Sequence, residues 1–239
     1  MRHAQIGRPL RSLTIAPSLN TRLPYDPQRD FAPITLIGYQ DLVLVVNPSV
    51  PAKTLEELVA LAKAKPGQIN YASSGIGTVY HMSGELLKTT ADIEIVHVPH
   101  RASGDMRNSV LGGHVQMMFD AITTIEPMIR AGQVRTIATT GLKRAPSTPD
   151  VPTMSESGAE GFETNIWFGL MAPAGTPPEV VEKLDGEVHR ALARPEIGAV
   201  WSAQGVTPWT VSRTTFDKFL RDDIAKWEKV VKATGVKLN

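Results

Sequence analysis

Asn70-Tyr71-Ala72-Ser73-Ser74-Gly75-Ile76-Gly77-Thr78-Val79-Tyr80-His81-Met82-Ser83-Gly84-Glu85-Leu86-Leu87 is the stretch on which the fold turns. A strand ends over Ile69 to Ala72, a loop of small residues follows, and a helix opens near Thr78. Gly75 and Gly77 let the backbone turn sharply and approach a guest closely. Ser73, Ser74 and Thr78 supply hydroxyls, and the first N–H groups of the helix lack internal partners. The positive end of the helix dipole faces the loop, which suits the stretch to an anion such as a carboxylate. A capped strand-to-helix turn that binds nothing fits the same residues, so the stretch alone leaves both readings open.

On either side of it the chain alternates. Upstream, Ile34 to Gly38 and Leu42 to Asn47 read as two strands, the second ended by Pro48 and Pro51. Thr54-Leu55-Glu56-Glu57 is a capping box whose helix runs to about Lys65, where Pro66-Gly67 stops it. Downstream, strand Glu94 to Val98 leads through His100 to Gly104 into a helix ending at Gly112-Gly113. Strand Val115 to Phe119 leads through Asp120 into a helix ending at Gly132, and strand Arg135 to Thr139 follows. Alternation of this kind implies βαβ crossovers and a mainly parallel sheet. Ligands of such sheets sit beyond the carboxyl ends of the strands, where the loops 73–78, 100–104 and 120–123 all leave.

The flanks are less regular. Residues 1 to 33 are rich in Pro, Arg and Asn, with a rigid turn at Leu23-Pro24-Tyr25-Asp26-Pro27. Residues 143 to 165 form a polar loop with Pro146, Pro149 and Pro152, and Trp167 to Ala172 reads as a strand. Thr176-Pro177-Pro178-Glu179 combines a capping box with proline at the first helical position. Pro195 opens a further helix, and the last, from Ser212 to Thr234, carries Phe216, Phe219, Leu220, Ile224, Trp227 and Val231 on one face, read as core.

With 239 residues, 42% of them hydrophobic, the chain is long enough for one large or two small domains with a real core. Lys and Arg number 25 against 24 Asp and Glu, and without a basic block the chain is not expected to bind nucleic acid. Cysteine is absent, which excludes disulfides and thiol chemistry. No apolar run approaches the roughly 20 residues of a membrane span, so no direct membrane insertion is expected. Met1 to Ser12 has basic residues but no apolar segment behind them and does not read as a secretory signal. On that reading the protein is cytoplasmic, or the reading frame begins downstream of its natural start.

Leu23-Pro24-Tyr25-Asp26 followed by Asp30-Phe31-Ala32-Pro33 resembles the substrate-binding receptors of tripartite tricarboxylate transporters, the Bug receptors. The same resemblance is carried by Tyr71 to Gly77, by His97-Val98-Pro99, by Leu111-Gly112-Gly113-His114-Val115-Gln116-Met117-Met118-Phe119-Asp120, and by Trp167 to Pro177. It runs in unbroken order from about residue 14 to the C-terminus. It implies an α/β, periplasmic binding protein type II-like fold: two lobes with mainly parallel sheets, joined by crossing strands, with a cleft between them. Residues 1–46 and 167–239 would form the first lobe and 47–166 the second. The resemblance implies a periplasmic receptor, not an enzyme. It would carry a small carboxylate (a di- or tricarboxylate, an amino-acid or an aromatic acid) to the membrane subunits of a tripartite transporter, without a cofactor. It places Ser73, Ser74, Gly75, Gly77 and Thr78 at the carboxylate. His100, Arg101, Ala102 and Ser103 come beside them, with Asp120 on the cleft floor.

Two departures stand out. The family usually has tyrosine, lysine and glycine where this chain has His100, Arg101 and Ala102; the charge is kept, but a methyl is added where backbone approach is expected. The family's first lobe also opens with a strand and a Pro-Gly-Gly turn that have no counterpart here. About two βα units, roughly 60 residues, are missing on that comparison, leaving the first lobe partial.

Individual residues leave alternatives. Asp120 is placed to accept from a ligand hydroxyl, ammonium or water and equally to cap the helix after it, two roles that do not exclude each other. Arg101 either pairs with a second carboxylate or is simply solvated. His81, His97, His100 and His114 are too scattered for a metal site and read as structural. A hydrolase would pair Ser73 or Ser74 with a histidine and Asp120, but there is no Gly-x-Ser-x-Gly elbow. A non-binding remnant is the third reading.

Overall fold

The computed structural model describes residues 13–20, 22–145 and 148–237; the readings placed on residues 1 to 12 and on Pro146 lie outside the described residues. In chain order the elements are α1 (Ala16–Leu19), β1 (Phe31–Val46), α2 (Leu55–Ala64), β2 (Ile69–Ser73), α3 (Val79–Ala91), β3 (Ile95–Pro99), α4 (Ser103–Leu111) and β4 (Met117–Ala121). They continue with α5 (Ile122–Arg130), β5 (Arg135–Thr139), β6 (Asn165–Pro173), α6 (Pro178–Leu192), α7 (Pro195–Ala203), β7 (Thr207–Pro208) and α8 (Arg213–Thr234). They pack as two units, Met1–Tyr39 with Trp167–Asn239, and Gln40–Ile166. The first break falls at Tyr39, whereas the sequence reading set it after residue 46.

The 40–166 unit is built on a sheet in the order β3-β2-β4-β1-β5. β2 is parallel to β3 and to β4, while β1 is antiparallel to β4 and to β5. Four strands therefore point one way, and β1 runs against them from a central position. Centrality explains its composition: Leu42, Val43, Leu44, Val45 and Val46 are all fully buried, because both faces of an inner strand are covered. Leu42, Leu44 and Val46 meet Tyr71, Phe119 and Phe162 on one face. Val43 and Val45 meet Met118, Ile122 and Val110 on the other. Thr54 caps α2 by accepting from the Glu57 N–H at 3.1 Å, while the Glu57 carboxylate reaches back to the Lys53 N–H at 2.6 Å, one residue beyond the usual capping box.

The other unit is held by an aromatic core. Leu36, Phe216 and Leu220 are buried with Trp167, Trp209 and Phe219 packed against them, and Phe219 meets both tryptophans edge-on at 5.5 and 5.2 Å. The apolar stripe of the last helix is core here, as its spacing required.

Two sequence readings are corrected. Residues 34–38 and 42–47 do not form separate strands; a single 16-residue strand runs through the polar segment between them. Gly38 closes the first of the two runs, but a Cβ there would lie 2.7 Å from Trp201, and β7 pairs with Gly38 and Tyr39. The glycine admits a neighbour rather than ending the strand. At α6, Pro177 and not Thr176 is the N-cap residue; the Thr176 hydroxyl donates to Pro173 O at 2.7 Å, closing the preceding turn.

Candidate functional site

Because β2, β3 and β4 are parallel, their carboxyl ends lie together at one end of the 40–166 sheet, and each feeds a helix: α3, α4 and α5. His100 N–H donates to Ser73 O at 2.9 Å, which ties the first two connecting loops together. Antiparallel β1 brings its start to the same end, where Gln40 Nε2 donates to Thr123 Oγ1 at 2.8 Å. Three helix N-termini thus share one end of a sheet, each with orphan N–H groups.

The 73–78 loop is pinned from within. Ser73 is fully buried; its Oγ accepts the Gly75 N–H at 3.1 Å and lies 2.6 Å from His97 Nε2. Gly77 N–H donates to His81 Nδ1 at 3.1 Å. Thr78 caps α3 and donates its hydroxyl to Gly75 O at 2.8 Å. Gly75 and Gly77 adopt φ of 128° and 77°, the region that side chains resist. The N–H groups of both glycines and the hydroxyls of Ser73 and Thr78 are therefore spent inside the loop. The N–H groups of Ser74 and Ile76 and the Ser74 hydroxyl have no partner among the described residues. Trans peptides carry N–H opposite C=O, so Ser73 O held by His100 and Gly75 O held by Thr78 turn those two N–H groups the other way.

Beneath the loop lies a buried polar cluster that sequence spacing did not reveal. Strand pairing sets Tyr71 beside His97, and the rings of His81 and His97 stack with centroids 3.8 Å apart. Tyr71 OH donates to Glu85 Oε1 at 2.5 Å, and Lys88 donates to the same carboxylate at 3.1 Å. Burial, then the Lys88 charge, pushes His81 down to about 4; burial, then His81, pushes His97 down to about 3. Both are neutral at pH 7. Among the described residues, no group of three or more potential ligands could hold a metal ion.

Asp120 does not cap the helix that follows it. It is fully buried, Oδ2 accepting from Arg107 Nε at 2.5 Å and Oδ1 from Arg107 Nη2 at 3.1 Å. Its remaining bond is to the N–H of Ala121, and Ala121 itself is the uncapped N-cap of α5. Arg107, on α4, escapes a reading of the sequence because no spacing links position 107 to position 120. Tyr80 stands close enough to be pushed up to about 12, by burial first and then by the Asp120 charge. A serine beside a histidine resembles a nucleophile and its base. Yet Ser73 is sealed from solvent, His97 is too weak a base, and Asp120 is bound to Arg107.

In the second loop, His100 Nδ1–H donates to Val98 O at 3.0 Å, holding its own strand end. Ala102 is the N-cap of α4 and gives no side-chain cap, so the N–H groups of Ser103 and Gly104 are unclaimed among the described residues. Arg101 is exposed, and its guanidinium has no partner among the described residues. Asp105 lies in the first turn of α4 and is exposed.

A cluster of orphan N–H donors at the ends of parallel strands suits an anion. The sequence profile described as "Tripartite tricarboxylate transporter family receptor" matches residues 5–236. Protein BugT of Bordetella pertussis is 33% identical over 226 residues, covering 95% of this chain and 69% of that one. Among solved structures, R. palustris Rpa4515 with adipate superposes with a TM-score of 0.83 at 32% identity, covering 95% of this chain and 76% of that one. MatC from Rhodopseudomonas palustris with bound malate gives 0.79 at 29%, covering 92% and 76%. The chain spans 63% and 69% of the length of the first two curated relatives it matches. Its α/β fold is of the periplasmic binding protein type II kind, and the chain belongs to the tripartite tricarboxylate transporter receptor family.

Proposed function

We propose that the protein is a solute-binding receptor for a small di- or tricarboxylate, acting in the periplasm and delivering its ligand to the membrane subunits of a tripartite transporter. The observation that carries this reading is the convergence of the 73–78, 100–104 and 120–123 loops at one end of the sheet, with N–H groups on Ser74 and Ile76 that have no partner among the described residues. The N-termini of α3, α4 and α5 add positive dipole ends. Asp120, a buried acid at that end, is paired with Arg107, so it offers a carboxylate guest little repulsion.

Within this reading Ser74, Gly75, Gly77 and Thr78 form the carboxylate loop, with Ser73 as its internal brace. Ser103 and the backbone after Ala102 add donors, and His100 shapes the second loop. Arg101 offers a cation to a second carboxylate, where a bidentate pair adds orientation as well as charge. Family membership and the adipate- and malate-bound relatives support the choice of ligand class. Among the described residues no helix is long and apolar enough to cross a membrane.

Calorimetry and thermal shift against acetate, succinate, malate, adipate, citrate and a neutral sugar test the reading. Saturable binding of a di- or tricarboxylate is expected, with melting temperature rising in step with ligand concentration. Binding of the sugar with no response to any acid would overturn it, as would silence across the whole panel.

A further inference from the structure

His81 sits in the first turn of α3 and reaches back to the loop before it. Its Nδ1 accepts the Gly77 N–H at 3.1 Å. A ring nitrogen that accepts carries no proton, so the proton of the neutral ring is on Nε2. Nε2 lies 3.7 Å from Glu85 Oε1, too far for a good hydrogen bond but close enough for the carboxylate to favour that tautomer. Glu85 is held in turn by Tyr71 and Lys88. His97 stacks on the His81 ring at 3.8 Å while its own Nε2 meets Ser73 Oγ at 2.6 Å, so both braces of the loop belong to one packed assembly. His81, Glu85 and Tyr71 are buried, which leaves the ring little freedom to turn.

We propose that His81 is the positioning residue of the carboxylate loop: by taking the Gly77 N–H at Nδ1 it fixes the peptide that follows Ile76 and keeps the Ser74 and Ile76 N–H groups presented to a ligand. The inference rests on the reading of this loop as the anion site. His81 touches no ligand in this role. It acts through the backbone, as Ser73 does at Gly75. Such a residue matters because a site built from backbone donors loses strength when those donors must be ordered at the moment of binding.

The test separates the brace from the binding. In ligand-free, 15N-labelled protein, a scalar coupling across the N–H···N bond between Gly77 and His81 Nδ1 is expected, together with an unprotonated Nδ1 resonance. His81→Leu removes the acceptor, whereas His81→Asn places Oδ1 near the position of Nδ1. For His81→Leu, Gly77 amide exchange should quicken, and succinate affinity measured by calorimetry should fall, each by about tenfold, the equivalent of one hydrogen bond. His81→Asn should recover most of both. Absence of the coupling in the wild-type chain overturns the proposal. So does a His81→Leu protein whose Gly77 exchange and affinity match wild type, or equal losses in the two variants that merely track melting temperature. If His81→Leu does not fold, the wild-type coupling and the Asn variant decide. If wild type binds no succinate or other acid, the receptor reading fails, while the coupling and Gly77 exchange still decide the brace.

Discussion

At the scale of the residue, the proposed carboxylate site depends on which N–H groups of the 73–78 loop are bonded within the protein and which are left for a ligand. Gly77 at φ 77° admits no branched side chain without strain, so Gly77→Val should lower succinate affinity by at least about tenfold. Ser74→Ala should cost only a few-fold, because its backbone donor remains. Gly67→Val is the control: Gly67 has φ 71°, and a Cβ there would meet nothing within 4 Å, so it carries the same strain away from the loop and should leave affinity alone. Calorimetry and melting curves on the three variants check this, and loss of binding in Ser74→Ala with retention in Gly77→Val would make the hydroxyl the principal donor. Titration gives a second expectation. The unfolded chain protonates its histidines near pH 6.5, whereas His81 and His97 resist until about 4 and 3. Between those values the unfolded state holds more protons, so stability falls as pH drops. Asp41 opposes this: burial, then Glu163, raises it to about 6, so the folded state holds the extra proton between pH 3.8 and 6 and gains stability as pH falls. Two histidines outweigh one aspartate by a net of about one proton, or roughly 1.4 kcal/mol per pH unit near pH 5. Denaturant midpoints at pH 7, 6 and 5 measure the slope. Asp41→Asn should steepen it, and a flat profile in both proteins would contradict the assignments.

At the scale of the element, hydrophobic period and caps made the 40–166 unit legible: Thr54, Thr78, Gly112 and Gly132 mark helix ends that composition alone discloses. What stayed hidden was whatever depends on two elements meeting. The antiparallel course of β1 is a property of its partners, and a reading of the sequence ends the first strand at Gly38 because the Trp201 it accommodates is more than 160 residues away along the chain. The Arg107–Asp120 pair was hidden for the same reason, although Asp120 itself was singled out. That pair joins α4 to β4 in a buried setting, and removing one partner strands a charge. Arg107→Met should therefore destabilise the protein by about 3–5 kcal/mol, and adding Asp120→Asn should recover much of the loss. Denaturant unfolding of the two variants measures it. A single variant with wild-type stability would mean that solvent reaches Asp120 easily.

At the scale of the whole molecule, burial is uneven from element to element. β1 is sealed on both faces from Leu42 to Val46, whereas α6 buries only Val181 and α7 buries nothing. Val180, Leu184 and Val200 are exposed on those two helices. Hydrogen exchange should accordingly be orders of magnitude faster in α6 and α7 than in β2, β4 and the second half of β1, since protection follows burial. Uniform strong protection would contradict this. The sequence placed the 73–78 loop between strand and helix but did not disclose which of its polar groups are bonded inside it, because that depends on the direction of each peptide. The most direct test of the central claim is an amide chemical-shift titration of the 15N-labelled chain with succinate. Saturable shifts centred on Ser74, Ile76, Val79, Tyr80 and residues 101–104, with Gly77 little changed, are the predicted result. Shifts confined to residues outside these loops, or none with any carboxylate while a neutral sugar produces them here, would contradict it.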